Sequence, residues 1–492
     1  MAEAIRRNVL VSEDARSSCD DSPVVAKHHD QYRGDLLSLP QDLNLFPHQI
    51  KAISKWGNAG GKGILKIATG GGKTVAALAA VCKIAQRVQG PLAVVIVAPL
   101  INLVDQWLIE ASRFGLMPIR CAEGADAWTQ DLIIQKQAYN AGLLRVLSIV
   151  STNSTFFGSG LAEIVADLHG TVLLICDEVH NLRGESSILK LPSNASLRIG
   201  LSATPEDSFS GAPVPAYYDY FNGVVFTYGL EEAIRDGVLV PYLYYPTLIE
   251  LLDEEVEEYL RLSKMLARYI HSESEEFSPQ AKSLLLRRAR LIGTASNKER
   301  WVRGLLSARK NGTRTLIYCG DGTVAGDEES SLIRQVDRLY TLVTKEISLI
   351  GATYTSRTST RDRQVILDKF RDGLIGVLVA IRCLDEGVDI PAVDTAIMLA
   401  SSTNPRQFVQ RRGRVLRRFP GKAEARIFDT IVVPPAQYAR FDGPEFQAAK
   451  RLLIGQFKRV NEFAGLAING PEARAEVLSY ADRLGLLGQL EV

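Results

Sequence analysis

Gly63-Ile64-Leu65-Lys66-Ile67-Ala68-Thr69-Gly70-Gly71-Gly72-Lys73-Thr74 is the stretch on which the fold turns. A short aliphatic run (63–68) reads as a buried strand, and Lys73 to Val88 reads as a helix. Three glycines between a strand and a helix form a phosphate loop. Because the glycines lack Cβ atoms, the N–H groups of Gly70, Gly71 and Gly72, together with that of Thr69, can converge on a phosphate at the positive end of the helix dipole. Lys73 can reach the β- and γ-phosphates, and the Thr74 hydroxyl can ligate Mg2+. The strict GxxxxGK[ST] spacing fails, because Ile67 stands where the first glycine belongs.

Outward from this loop, strand-like and helix-like runs alternate. Leu92–Ala98, 145–151, Thr171–Cys176 and 198–203 are short and aliphatic, with helical stretches such as 101–114 between them. In that last stretch Ile101, Val104, Trp107, Leu108 and Ala111 recur at helical spacing. Strands alternating with helices predict an α/β fold with a doubly wound parallel sheet. From Asp253 to about Lys298 the pattern breaks into Glu-, Lys-, Arg- and Leu-rich helical sequence that Pro279 divides in two. The alternation resumes at Trp301, with strands expected at 315–319, 348–354, 377–381, 395–399 and 426–432. The organisation expected is therefore a polar extension (1–42), one lobe (43–230), a linker and helical insertion (231–300), a second lobe (301–435) and a helical C-terminal segment (436–492). The acidic, glycine-rich stretch 320–329 reads as a loop.

A second chemical feature is Asp177-Glu178-Val179-His180, which follows the run Thr171–Cys176. The carboxyl ends of parallel strands are where such sheets bind ligands. There Asp177 can hold Mg2+, and Glu178 can orient and deprotonate an attacking water. His180 lies where it can sense the γ-phosphate or touch the second lobe; a satisfied structural histidine is the alternative. Near the other end of the chain, Arg414 and Arg417 can bring positive charge, and Gln410 an amide donor, to the triphosphate; three apart, the two arginines would share a face on a helix. A solvated basic helix end is the alternative, equally weighted for Arg411, Arg412 and Arg418.

The 492 residues predict about three domains. Hydrophobic residues make up 46%, charged residues 23%, and the net charge is +1, so any basic surface is local. Six scattered cysteines form no CxxC pair, which argues against zinc and fits a reducing cytoplasm. No apolar run is long enough for a membrane span, and no signal-peptide h-region is visible. A cytoplasmic protein without a membrane partner is expected.

Taken in order, Ala68–Thr74, Asp177–His180, Ser202-Ala203-Thr204, Leu384-Asp385-Glu386-Gly387-Val388-Asp389 and Gln410–Arg417 resemble motifs I, II, III, V and VI of helicase superfamily 2. The resemblance covers about residues 43–435. It is closest to the branch of restriction-enzyme motor subunits and the DNA-repair helicase of transcription factor IIH. It implies two tandem RecA-like lobes, ATP and Mg2+ as cofactors, and a nucleic-acid partner. The DEVH form, in place of DEAD, points away from the DEAD-box RNA helicases, and DNA is the expected partner. It further implies that Gln49, in Phe46-Pro47-His48-Gln49, reads the adenine edge. Ser202, Thr204 and Gly387 would couple nucleotide state to nucleic acid, and Asp389 would touch ribose or position the arginines. Pro99 and Gln106 in one segment, and Ser151 and Thr152 in another, would lie along the nucleic-acid backbone, with a strand end and a helix cap as the plain alternative. The inserted helices, carrying Arg287, Arg288 and Arg290, resemble a thumb that packs on duplex. Other readings stay open: an RNA helicase, a nucleotide-gated clamp, and the motor of a restriction or phage-defence complex whose nuclease is a partner chain.

Overall fold

A computed structural model describes residues 37–182, 185–205, 216–269, 278–309, 314–325, 332–381, 390–400, 405–435 and 444–483. The run 384–389, with Gly387 and Asp389, therefore lies outside the described residues, as does the polar extension apart from 37–42. Two parallel sheets organise the chain.

The first sheet comprises β1 (Lys62–Ile67), β2 (Leu92–Ala98), β3 (Ile119–Cys121), β4 (Val146–Thr152), β5 (Thr171–Cys176), β6 (Leu197–Ser202) and β7 (Val224–Tyr228). Their order is β3-β4-β2-β5-β6-β1-β7, and every pairing is parallel. Central β2 is buried at all seven positions. Its unbroken run Leu-Ala-Val-Val-Ile-Val-Ala suits a strand covered on both faces. The helices that matter to the site are α1 (Pro47–Asn58), α2 (Lys73–Arg87) and α3 (Ile101–Arg113). On α3, Val104, Trp107 and Ala111 are buried as the spacing predicts, whereas Ile101 is exposed.

The second sheet runs β12-β13-β9-β14-β15-β8, again all parallel. Its strands are β8 (Tyr242–Glu250), β9 (Thr315–Tyr318), β12 (Gly351–Tyr354), β13 (Val377–Ala380), β14 (Thr395–Met398) and β15 (Ala425–Val433). The expected α/β architecture of two doubly wound lobes is what the chain forms. The segment 231–300, expected to be linker and helices, also contains β8, which pairs with β15 along its whole length. Its Pro246 is tolerated because β8 is an edge strand, with no second neighbour needing that N–H. Within 320–329, expected to be a loop, β10 (Thr323–Ala325) pairs antiparallel with β11 (Leu332–Arg334).

Between β8 and β9 rise α4 (Asp253–Ala267) and α5 (Pro279–Gly293), which pack against each other through Leu262, Leu266, Ala281 and Leu284. Ser278 caps α5 by accepting from the Ala281 N–H, with Pro279 in the first turn, where its missing donor costs nothing. Arg287 sits against Glu258 and Arg288 over the Tyr259 ring, while Arg290 is exposed. Helix α6 (Pro405–Val415) carries Arg411, Arg412 and Arg414 but ends before Arg417, so Arg414 and Arg417 do not share a helix face as expected; Arg417 instead bridges to Leu239. The last helices, α7 (Pro444–Ala464) and α8 (Gly470–Arg483), lie against the second sheet. Gln456 bonds both the N–H and the carbonyl of Val432, and Asn469 does the same for Tyr244. The C-terminal helical segment is thus built into the second lobe. Cys82, Cys121, Cys176 and Cys319 are buried and form no disulfide, and the Cys319 thiol donates to the Ala380 carbonyl. No helix among the described residues is long and apolar enough to cross a membrane.

Candidate functional site

Strands β1, β5 and β6 end side by side, and the three loops leaving them converge. After β1 the chain turns sharply, with Gly71 N–H bonded to the Ala68 carbonyl. Gly70 (φ 86°) and Gly72 (φ 79°) take left-handed conformations that only glycine adopts without strain. A Cβ on Gly72 would stand 2.3 Å from the Gln49 amide nitrogen. Gln49 holds the loop, its amide donating to the Gly72 carbonyl (3.1 Å) while its oxygen accepts from the Phe46 N–H (2.9 Å). His48 Nε2 donates to the Gly71 carbonyl at 2.8 Å, and its ring stacks on Tyr228 of β7 with centroids 3.8 Å apart. Burial, chiefly, lowers the His48 pKa, so the neutral ring is the donor. Tyr228 belongs to a strand the alternation pattern missed.

Opposite the loop stands the acidic pair. Lys73 Nζ lies 3.7 Å from Glu178 Oε1. Glu178 has φ 44°, a left-handed backbone that a glutamate takes only when its surroundings impose it. Its Oε2 is buried without a hydrogen-bond partner, as is Thr69 Oγ1 in the glycine turn. Asp177 is fixed by Trp107, whose indole N–H donates to Oδ2 at 2.9 Å, and by the Glu178 N–H on Oδ1. The contact of Trp107 with Asp177 escaped the sequence reading, which placed Trp107 on the apolar face of a helix and in the segment expected along the nucleic-acid backbone. His180 Nδ1 is hydrogen-bonded to Ser202 Oγ at 2.9 Å and lies 3.4 Å from Glu178 Oε2. Ser202 Oγ also accepts from the Thr204 N–H. Glu178, His180, Ser202 and Thr204 thus form one continuous polar chain.

Burial first, then the Glu178 charge, pushes the Asp177 carboxyl up to about 6, while Lys73 and the Trp107 hydrogen bond pull it down. A raised carboxyl pKa makes the ionised form costly in the folded state. That cost is absent below the ordinary carboxylate pKa and complete above the raised one. Asp177→Asn should therefore stabilise the nucleotide-free protein at pH 7.5, by about 1–3 kcal/mol, and by less at pH 5. Thermal unfolding at the two pH values checks this; a variant less stable than the parent at pH 7.5 would refute the assignment.

The second lobe meets the glycine turn directly. Val240 N–H bonds to the Leu416 carbonyl, and Leu239 bridges to Arg417. A Cβ on Gly413 would lie 2.6 Å from Thr69 Cβ, and one on Gly70 would lie 3.2 Å from Arg417 Cγ. The end of α6 therefore rests on the phosphate loop. Gln410 is buried, and Arg414 and Arg417 are half-buried.

Arg411 and Arg412 are neither solvated nor directed at the loop. Arg411 bonds the Ala400 carbonyl and lies over the Tyr318 ring. Arg412 is enclosed by α7. Only Arg418 is exposed. Beyond the end of β2 and on α3, at the same carboxyl edge of the sheet, Pro99 and Gln106 are partly accessible. Ser151 and Thr152 are buried, and Thr152 caps the short helix Asn153–Gly158 by accepting from the Thr155 N–H. Their side chains serve the strand end and the cap; Ser154 beside them is exposed.

Two family models match the chain: the type III restriction enzyme res subunit over residues 42–207, and the helicase conserved C-terminal domain over residues 297–419. They cover the loop with the acidic pair and the arginine row, respectively. The chain belongs to helicase superfamily 2. It is accordingly an ATP-hydrolysing enzyme of the helicase class. The DNA 3'-5' translocase XPB2 of Sulfurisphaera tokodaii is 26% identical over 416 residues, covering 80% of this chain and 83% of that protein. The putative DNA 3'-5' helicase Rad25 of Halobacterium salinarum is 25% identical over 403 residues, covering 80% of this chain and 55% of that one. The fold is shared with the ATP-dependent type ISP restriction-modification enzyme LlaBIII bound to DNA. That similarity has a TM-score of 0.57 at 17% identity and covers 95% of this helicase but 35% of the larger enzyme.

Proposed function

We propose that this helicase is an ATP-driven motor that translocates on DNA, with ATP and Mg2+ held between two RecA-like lobes that meet near Leu239–Pro241. The observation that carries the reading is the seating of Gly413 and Arg417 against Thr69 and Gly70. A nucleotide on this loop would touch both lobes.

The residues fit such an occupant. The glycine turn leaves no Cβ in the way, and Thr69 Oγ1 and Glu178 Oε2 are buried polar atoms with no hydrogen-bond partner. Asp177 and Thr74 would hold Mg2+, which offsets the charge of the phosphates. Lys73 binds the β- and γ-phosphates. Glu178 orients the attacking water and takes its proton. Arg414 and Arg417, with Gln410, stabilise charge on the transferring phosphoryl group. His180 and Ser202 carry the change at Glu178 to Thr204, on the edge facing nucleic acid. Loss of the γ-phosphate removes the bridge and lets the lobes part; repeated closure moves the lobes along a strand. Grip is to the phosphate backbone, near Pro99, Gln106 and the exposed Ser154, with Arg290 on the inserted hairpin.

A second reading, the motor component of a restriction or phage-defence complex, has its own support. The res-subunit model matches the first lobe, and the chain spans only 35% of the restriction enzyme that shares its fold. A nuclease would then come from a partner.

Steady-state ATPase rates with single-stranded DNA, duplex DNA and RNA, each at two salt concentrations, test the proposal. DNA should raise turnover more than RNA does, and the stimulation should weaken as salt rises. Equal or greater stimulation by RNA would overturn the DNA assignment. No stimulation by any of them would leave a nucleotide-gated clamp.

A further inference from the structure

Arg412 sits in the middle of the arginine row, yet it points away from the nucleotide loop. Its side chain is 2% exposed. The guanidinium donates to the Glu462 carboxylate (2.7 Å) and the Glu462 carbonyl (2.9 Å), and it lies 4.9 Å from the Phe463 ring centroid. Tyr242 Oη of β8 is 3.4 Å away. Glu462 and Phe463 belong to the last turn of α7, which lies beyond both stretches matched by the family models.

Helix α7 does not float. Six residues before Glu462, Gln456 clamps both backbone groups of Val432. Three residues before it, Arg459 grips Asp429 through two nitrogens (2.9 and 3.2 Å), and Tyr244 Oη donates to the same carboxylate. Asp429 is wholly buried in β15. These contacts fix α7 in register on the second sheet, and α7 in turn holds α6 through Arg412. The next residue, Gly413, is the one whose backbone abuts Thr69, and Arg414 and Arg417 follow. The arginines are thus aimed from behind.

We propose that Glu462 is a positioning residue for ATP hydrolysis, holding α6 through Arg412 so that Arg414 and Arg417 meet the triphosphate. The proposal rests on the reading of those two arginines as acting on the phosphates. The chemistry follows from geometry. A guanidinium this buried needs a fixed partner, and removing one acceptor leaves a charge without compensation. The helix then shifts to find another acceptor, and displacements of about 1 Å cost rate on the order of 10²-fold when they misplace a group that acts only in the transition state.

The test uses the full chain with DNA present. Glu462→Ala should lower kcat by about 10- to 100-fold with KM for ATP changed by less than about threefold. Glu462→Gln, which keeps an acceptor oxygen, should recover most of the rate. Rates are measured well below each variant's own unfolding temperature, with folding checked by circular dichroism, because a merely structural residue would leave the rate per folded molecule unchanged. If Glu462→Ala does not fold, Arg412→Lys provides the same readings, since a point-like ammonium cannot reproduce the planar fork whose two nitrogens reach the Glu462 carbonyl and carboxylate separately. Arg417→Ala is assayed alongside. A folded Glu462→Ala or Arg412→Lys with parental kcat, beside a collapsed Arg417→Ala, overturns the positioning role alone. Parental kcat in Arg417→Ala overturns the arginine reading, and this role with it.

Discussion

Glu178→Gln should reduce ATP turnover by about 10²- to 10⁴-fold while leaving ATP binding close to that of the parent. The substitution keeps the side chain's size and one acceptor oxygen, so the left-handed backbone at residue 178 and the packing at the end of β5 have no reason to change. What it removes is the basicity of Oε2, which is buried, has no hydrogen-bond partner and lies beside His180. Lys73, 3.7 Å from the other oxygen, loses a counter-charge but keeps its reach to the phosphates. Uniform binding therefore survives, and an interaction made only in the transition state is lost. Fluorescent-nucleotide titration against steady-state hydrolysis separates the two. A glutamine variant hydrolysing ATP near the parental rate would remove Glu178 from the role of base. A variant that neither binds nor hydrolyses would show that the residue supports the fold of the site.

The alternation of strands and helices made both sheets legible, because a parallel strand covered on two faces must be continuously apolar, as Leu92–Ala98 and Thr171–Cys176 are. What escaped were strands that do not meet that condition. Ile119–Cys121 is three residues long, Val224–Tyr228 is half-exposed at the sheet edge, and Tyr242–Glu250 alternates in burial and contains a proline. Edge strands are not obliged to advertise themselves. Local motifs likewise located the glycine turn, the acidic pair and the arginine row, since each is defined by neighbours in sequence. Partners supplied from afar were not legible: Trp107 on Asp177 across 70 residues, Tyr228 against His48, and Glu462 on Arg412 across 50. In Gln-Arg-Arg-Gly-Arg-Val-Leu-Arg four identical side chains have different fates, which the helix register and the position of α7 decide. Arg411 and Arg412 are held within their own lobe, whereas Gly413 and Arg417, the latter past the end of α6 and bridged to Leu239, abut the glycine turn.

The Arg417 side chain carries the largest expected effect on rate. Its methylene packs at Gly70, its backbone bridges to Leu239, and its carbonyl accepts from the half-buried Lys422 (2.9 Å). The main chain is thereby anchored to the linker before β8 and to the second lobe, whatever the side chain is. Arg417→Ala should accordingly fold and bind ATP with modest loss, since the glycine turn and Lys73 supply most ground-state contacts. Turnover should fall by about 10³- to 10⁵-fold, the range over which arginine fingers act in phosphoryl transfer. Arg417→Lys should restore only part of it, because a point charge cannot present the planar fork that follows a phosphoryl group through a changing geometry. Single-turnover hydrolysis with saturating ATP gives the chemical step directly. If alanine slows it less than tenfold, about 1.4 kcal/mol, the charge on the transferring group must be met from the first lobe. Closure of the two lobes would then no longer be required for hydrolysis, and the coupling between ATP and movement would have to run through Glu178, His180 and Ser202 alone.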